Sequence, residues 1–167
     1  MDENKNNSEQ KRPDWDEYFL QILDAVSKRA TCGRGRSGAV IVKNKHILTT
    51  GYVGAPVGLP HCDEVGHLFR KAVHTDGNVR DHCVRTTHAE ANAIAQAAKF
   101  GISIDGATLY STMFPCLDCA KLIINSGIKR IVSLNDYQAS HDSKEFLKQA
   151  NIEFKILNSE LKKYEEK

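Results

Sequence analysis

HAEANAIAQAAKFGISIDGATLYSTMFPCLDCAKLIINSGIKRIVSLN, residues 88–135, reads as helix, strand, helix, strand. The first segment is alanine-rich and Gly101 is placed to stop it, whereas GATLYST (106–112) is an apolar, partly β-branched run. Pro115 opens a second helix that ends at Gly127, and IKRIVSLN (128–135) is a second strand. Alternation of this kind predicts an α/β fold in which helices pack on the faces of a central mixed sheet.

The flanking sequence extends the pattern in both directions. Pro13 and Asp14 open a helix in which Leu20, Leu23, Val26 and Ala30 recur at near-helical spacing. GAVIVK (38–43) and HILTTGY (46–52) are apolar runs joined by Asn44 and Lys45, which suits a tight hairpin. From Val53 to Thr87 no period is visible, and a connection of that length inside one domain is usually functional or pinned by metal. Downstream, a short helix near 143–150 and the strand IEFKIL (152–157) complete the alternation. Residues 1–12 read as a disordered polar tail, 13–158 as one domain, and SELKKYEEK (159–167) as a charged tail that frays from a helix.

At 167 residues the chain can bury roughly 70% of its unfolded surface around one core. A formal charge of +2 demands no polyanionic partner, and no basic stripe with interleaved aromatics suggests nucleic acid. The polar N-terminus lacks the apolar segment of a signal peptide and no apolar run reaches membrane-spanning length, so the expectation is a cytoplasmic protein. In a reducing compartment, five cysteines point to metal chemistry rather than a disulfide framework.

Two short motifs carry that chemistry: His88-Ala89-Glu90 and Pro115-Cys116-Leu117-Asp118-Cys119, each at the start of a predicted helix. Cys116 and Cys119 lie three apart, on one face of a first turn where the helix N-terminus favours thiolate. His88 makes a third ligand, and three protein ligands leave the open position that separates a catalytic zinc from a structural one. Zinc brings its water toward neutral pKa, and Glu90, unused as a ligand, is placed to carry protons as base and then acid. Paired in this order, the two motifs form the signature of zinc-dependent nucleobase deaminases. Taken alone, the CxxC reads more simply as a redox pair or part of a structural zinc site, and HAE as chance in an alanine-rich helix.

Beyond these motifs, the blocks WDEYFL, SGAVIV, GYVGAP, GLPHCDEVG, CVRTTHAEANAI, GATLYSTMFPCLDCAK and SGIKRIV resemble, in the same order, those of the deoxycytidylate deaminase family and its bacterial competence-operon relatives, over roughly residues 14–157. The resemblance implies a cytidine deaminase-like three-layer α/β/α sandwich with a five-stranded mixed sheet. It further implies conversion of dCMP to dUMP and ammonia for thymidylate synthesis, homohexamers, and control by dCTP with Mg2+ and by dTTP. It assigns the zinc to His88, Cys116 and Cys119 and the proton shuttle to Glu90. Pyrimidine contacts fall on backbone groups at Ala89 and Phe114, and a sugar or base contact on Tyr137.

The chain departs from the family at Val53, where Asn is usual and contacts the sugar, and at Ser37, where Val is common. Valine cannot make that hydrogen bond, so substrate affinity, sugar preference or regulation should differ. Some relatives hold a second, structural zinc, which here would use Cys32, Cys62, His67 and Cys83; the alternative is reduced buried cysteines beside surface histidines. Among the loop cations Arg70, Lys71, Arg80 and Arg85, the last is sequence-close to His88 and is the expected phosphate contact. Two other functions remain open: deamination of another cytosine nucleoside, nucleotide or nucleic-acid base, and a non-catalytic, zinc-containing nucleotide-binding protein. Intact Glu90 argues against the second.

Overall fold

Asp14 sets the first helix. Its carboxylate accepts from the Glu17 N–H at 2.8 Å and Glu17 returns the bond to the Asp14 N–H at 2.9 Å, so α1 (Trp15–Ser27) begins with two otherwise orphaned donors satisfied. Strands β1 (Gly38–Lys43) and β2 (His46–Tyr52) follow as an antiparallel pair. Asn44 and Lys45 between them adopt φ of 51° and 65°, the left-handed pair that matches a two-residue turn to strand twist. The computed structural model describes residues 11–73 and 77–162; most of the polar tail expected at 1–12, and residues 163–167 of the charged tail, lie outside the described residues.

The stretch read as an unstructured loop contains regular structure. It holds the short helix α2 (Cys62–Val65) and an antiparallel ribbon of β3 (Phe69–Val73) and β4 (Val79–Cys83). Most positions of both strands are exposed or only half-buried, so neither has the apolar alternation that announces a strand. The one cue was Asp76-Gly77 between them, a pair common in hairpin turns.

Thereafter come α3 (Ala89–Phe100), β5 (Thr108–Met113), α4 (Leu117–Asn125), β6 (Arg130–Tyr137), α5 (His141–Gln149) and β7 (Glu153–Lys162). Gly101 ends α3 in the left-handed conformation that only a residue without Cβ adopts cheaply. The main sheet has the order β2-β1-β5-β6-β7, antiparallel across β2, β1 and β5 and parallel across β5, β6 and β7. Two successive right-handed crossovers stepping the same way put α4 and α5 on one face.

Alternation along the strands builds both outer layers. Ala39, Ile41, Leu109 and Ile131 point into a core with Ala93 and Ala97 of α3, Ile123 of α4 and Leu147 of α5. Their neighbours Val40, Val42, Tyr110 and Val132 point the other way, onto Phe19, Leu20 and Leu23 of α1. The result is the expected three-layer sandwich around a five-stranded mixed sheet. One end differs: residues 159–162 extend β7 instead of starting a helix, with Leu161 opposite Asp136 and Lys162 opposite Tyr137. Local charge and helix propensity favoured the helix, but the open edge of β6 offers backbone partners that outweigh propensity.

Two contacts tie the layers together. Arg130 of β6 grips Asp16 of α1 with two bonds of 2.8 and 2.7 Å, and the Tyr110 hydroxyl donates to the same carboxylate at 2.8 Å. The Arg130 hydrogen bonds hold the Asp16 carboxyl at about 2, against burial, which acts to raise it. On the other face, a Cβ built on Gly51 of β2 would overlap the Ala89 carbonyl oxygen and the Ala93 nitrogen, so glycine is what lets α3 lie against the sheet.

A carboxyl with a depressed folded-state pKa stabilises the fold above its unfolded value and loses that contribution as pH falls through the folded one. Asp16→Asn should therefore cost on the order of 2 kcal/mol at neutral pH, and urea titrations should show the gap from the parent closing between about pH 4 and pH 2. Gly51→Ala, which changes no polar group, should lower stability by at least ~1–3 kcal/mol, the range for overpacking a core, and should reduce activity further than the stability loss explains, because it displaces the turn carrying Glu90.

Candidate active site and metal centre

Two helix N-termini meet at one point. His88 is the N-cap of α3 and Cys116 the N-cap of α4, with Cys119 in the same turn as Cys116. His88 Nδ1 lies 3.4 Å from Cys116 Sγ and 3.5 Å from Cys119 Sγ. Tetrahedral zinc, with Zn–S near 2.3 Å and Zn–N near 2.05 Å, separates such N and S donors by about 3.5 Å. The three side chains thus match one zinc in donor type and in spacing, and a fourth position stays free.

The electrostatics of the cluster follow from crowding three titratable groups. Hydrogen bonds from Cys119 and His88 bring the Cys116 thiol down to about 4. The bond to Cys116 in turn pushes His88 up to about 9. Cys119 is pushed up by its pairing with Cys116 and by burial, and it donates to Glu90 Oε2 at 3.6 Å. Zinc ligands are thiolates and a neutral imidazole, so metal entry must displace the protons held on His88 and Cys119. Glu90 is 7% exposed, and burial raises its carboxyl above the usual range, with the His88 charge opposing.

The cluster floors a cleft of about 580 Å³. Val53, Ala89, Glu90, Phe114 and Tyr137 all line it. Arg85 is placed elsewhere: its Nε donates to the Gly66 carbonyl at 3.0 Å, and it is not among the residues lining the cleft. The cations that do line it are Arg34 and Arg80, with Arg34 stacked 5.0 Å from the Phe69 ring centre. Arg34 carried no sequence signal, because the loop bearing it is positioned by a distant strand, through the Thr31 N–H bonded to the Val53 carbonyl. Arg80 needed recognition of the β3–β4 ribbon, which aligns it with His82 on one side of β4.

Other residues hold these groups in place. Asn92 Nδ2 donates to the Tyr52 carbonyl at 2.8 Å, and Gly54 and Thr87 exchange backbone bonds, so the residue before His88 is sewn to the end of β2. Asp136 accepts from the Tyr137 N–H and the Ser140 hydroxyl at 2.8 Å and from Lys144 at 2.7 Å. That network fixes Tyr137 at the cleft and sets Lys144 over the Phe114 ring at 5.5 Å.

A second cluster joins Cys32, Cys62, His67 and Cys83, whose donor atoms all lie within 4.8 Å of one another. Cys62 and Cys83 approach to 3.6 Å and Cys32 and His67 to 3.7 Å. Three thiols and an imidazole close a tetrahedron with no position left over. Val53 packs into the same buried group as Cys32 and Cys62. No helix among the described residues is long and apolar enough to cross a membrane.

Comparison with known proteins agrees with this geometry. Residues 13–135 match the family model described as the cytidine and deoxycytidylate deaminase zinc-binding region. The chain is 44% identical to the deoxycytidylate deaminase of Mycobacterium phage D29 over 72% of its own length and 94% of the relative's. It is 39% identical to ComE operon protein 2 of Bacillus subtilis, over 84% and 70% respectively. The crystal structure of dCMP deaminase from the cyanophage S-TIM5 in complex with dCMP and dUMP superposes with a TM-score of 0.71 at 32% identity, covering 87% of this chain and 98% of that one. With the fold, the histidine and two cysteines, and the neighbouring carboxylate all in accord, the chain belongs to the zinc-binding cytidine and deoxycytidylate deaminase family.

Proposed function

We propose that this chain hydrolyses dCMP to dUMP and ammonia, with zinc on His88, Cys116 and Cys119 and with Glu90 as the proton carrier. The observation that carries the reading is Glu90: a buried carboxylate beside a three-donor cluster that stops one ligand short of closure and opens on a cleft. A carboxylate in that place has no structural purpose that would offset its desolvation. The relatives named deoxycytidylate deaminase, and the cyanophage enzyme crystallised with dCMP and dUMP, support the choice of substrate.

Zinc held there supplies an acidified water and positive charge at the carbon under attack. The protein's own groups do the rest. Glu90 takes one proton from the attacking water and delivers it to the ring nitrogen, then takes the remaining proton from the new C4 hydroxyl and passes it to the amino group, which leaves as ammonia; burial, by raising its carboxyl, suits it to hold each proton between steps. Ala89 and Phe114 are each 1% exposed yet line the cleft, which leaves their backbone groups to contact the pyrimidine edge. Tyr137 offers a ring face, and Arg34 and Arg80 offer charge for one phosphate.

We assign a second, structural zinc to Cys32, Cys62, His67 and Cys83. The support is a donor set of the closed type at separations near those of tetrahedral zinc, buried on one side of a ribbon too small to persist unaided. It would clamp the loop carrying Arg34 to the ribbon carrying Arg80.

Two measurements test these assignments. Purified, zinc-loaded protein should release ammonia from dCMP, and Glu90→Gln should cut kcat by about 10³-fold or more, near the upper end for removal of a general acid–base, while retaining its zinc. An inactive parent with zinc confirmed in place would overturn dCMP as the substrate. Elemental analysis should find two zinc ions per chain, falling to one in Cys62→Ser; one ion in the parent would remove the second centre.

A further inference from the structure

Ser37 presents to the cleft a hydroxyl that has no hydrogen-bond partner among the described residues. The residue is 8% exposed. No fully buried polar side-chain atom among the described residues lacks a partner, so the Ser37 oxygen is not sealed into the core and opens to the cleft. A hydroxyl there has one donor and two acceptor sites to offer, and shielding them without a partner costs free energy.

Its surroundings are rigid. The Ser37 carbonyl accepts from the Val53 N–H at 2.9 Å, and the next residue, Gly38, donates to Thr112 Oγ1 at 3.0 Å. Gly54, after Val53, is bonded to Thr87 beside His88. Ser37 thus stands at the entry to β1, the strand between β2 and β5, in the same cleft as His88 and Glu90.

The neighbours limit what that hydroxyl can bind. Val53 has its N–H and its carbonyl occupied by Ser37 and Thr31, and its side chain is apolar. Met113, at the end of β5, also lines the cleft. Ser37 thus offers a neutral hydroxyl beside an apolar side chain, and such a group pairs with a neutral polar partner at lower desolvation cost than with a charge. Given the dCMP reading above, on which this inference rests, the phosphate is drawn to Arg34 and Arg80, and the base edge to Glu90 and the backbone groups. The polar group left on a 2′-deoxynucleotide is its 3′-hydroxyl. We propose that the Ser37 hydroxyl is a substrate contact that hydrogen-bonds the 3′-hydroxyl of the bound nucleotide.

Calorimetric binding of dUMP and of 2′,3′-dideoxyuridine monophosphate to zinc-loaded parent and Ser37→Ala separates this contact from general damage. The parent should prefer dUMP by about 3- to 10-fold, the net worth of a neutral hydrogen bond. In Ser37→Ala that preference should vanish, with the dideoxy ligand bound within twofold of the parent, which also reports an intact fold. A variant that keeps the preference, or that loses the same factor on both ligands, overturns the contact. A parent that shows the Ser37-dependent preference yet releases no ammonia from dCMP keeps the contact and overturns the reaction. A parent that turns over dCMP without such a preference does the reverse, and one that binds neither nucleotide overturns both.

Discussion

Everything in this protein depends on bringing the first turns of α3 and α4 together. A helix start offers free N–H groups and a positive dipole end, so it favours thiolate and carboxylate where an interior position would not. Here the two starts deliver an imidazole, two sulfurs and a carboxylate to one spot. Strand β5 separates the two helices in sequence, and its end leads through Phe114 and Pro115 straight into Cys116. The sheet therefore sets the spacing, and Gly51 sets how closely α3 may approach it.

That geometry is electrostatically demanding. Glu90 sits desolvated, Cys119 holds its proton, and Cys116 and His88 share charge as an ion pair. Titratable groups are packed within a few ångströms of one another at a partly buried site, where their interactions are stronger than in bulk water. The fold must stabilise this arrangement from elsewhere, through the apolar layers on both faces of the sheet and the clasp of Arg130 on Asp16.

The other wall of the cleft is made differently. The β3–β4 ribbon is a two-stranded piece outside the main sheet, with several exposed apolar residues and no helix packed on it. Such a ribbon has little intrinsic stability. It meets the rest of the domain through Cys83, which lies 3.6 Å from Cys62 in the four-donor cluster, while the Val84 N–H to the Leu68 carbonyl at 2.8 Å adds one more rung to the ribbon itself. Arg80, His82 and Phe69 face the cleft only because of that attachment. The cleft-lining Arg80 thus sits on the less regular side of the molecule, and His88, Glu90 and Cys116 on the side built by the helices of the main sheet.

Local chemistry alone made the sandwich, the hairpin at Asn44 and Lys45, and the cluster of His88, Glu90, Cys116 and Cys119 legible in the sequence. Apolar periodicity, turn residues and fixed ligand spacings are short-range signals that need no knowledge of distant partners. Signals of that kind were missing or misleading elsewhere. The ribbon was invisible because exposed strands carry no period, and residues 159–162 looked helical until the edge of β6 claimed them. Arg85 looked suited to phosphate because it is close to His88 along the chain, whereas Arg34 and Arg80, farther away in sequence, are the cations that line the cleft. Only the tertiary structure could decide these, because each depends on which backbone groups and side chains a distant segment leaves open, and that is not written in any local pattern.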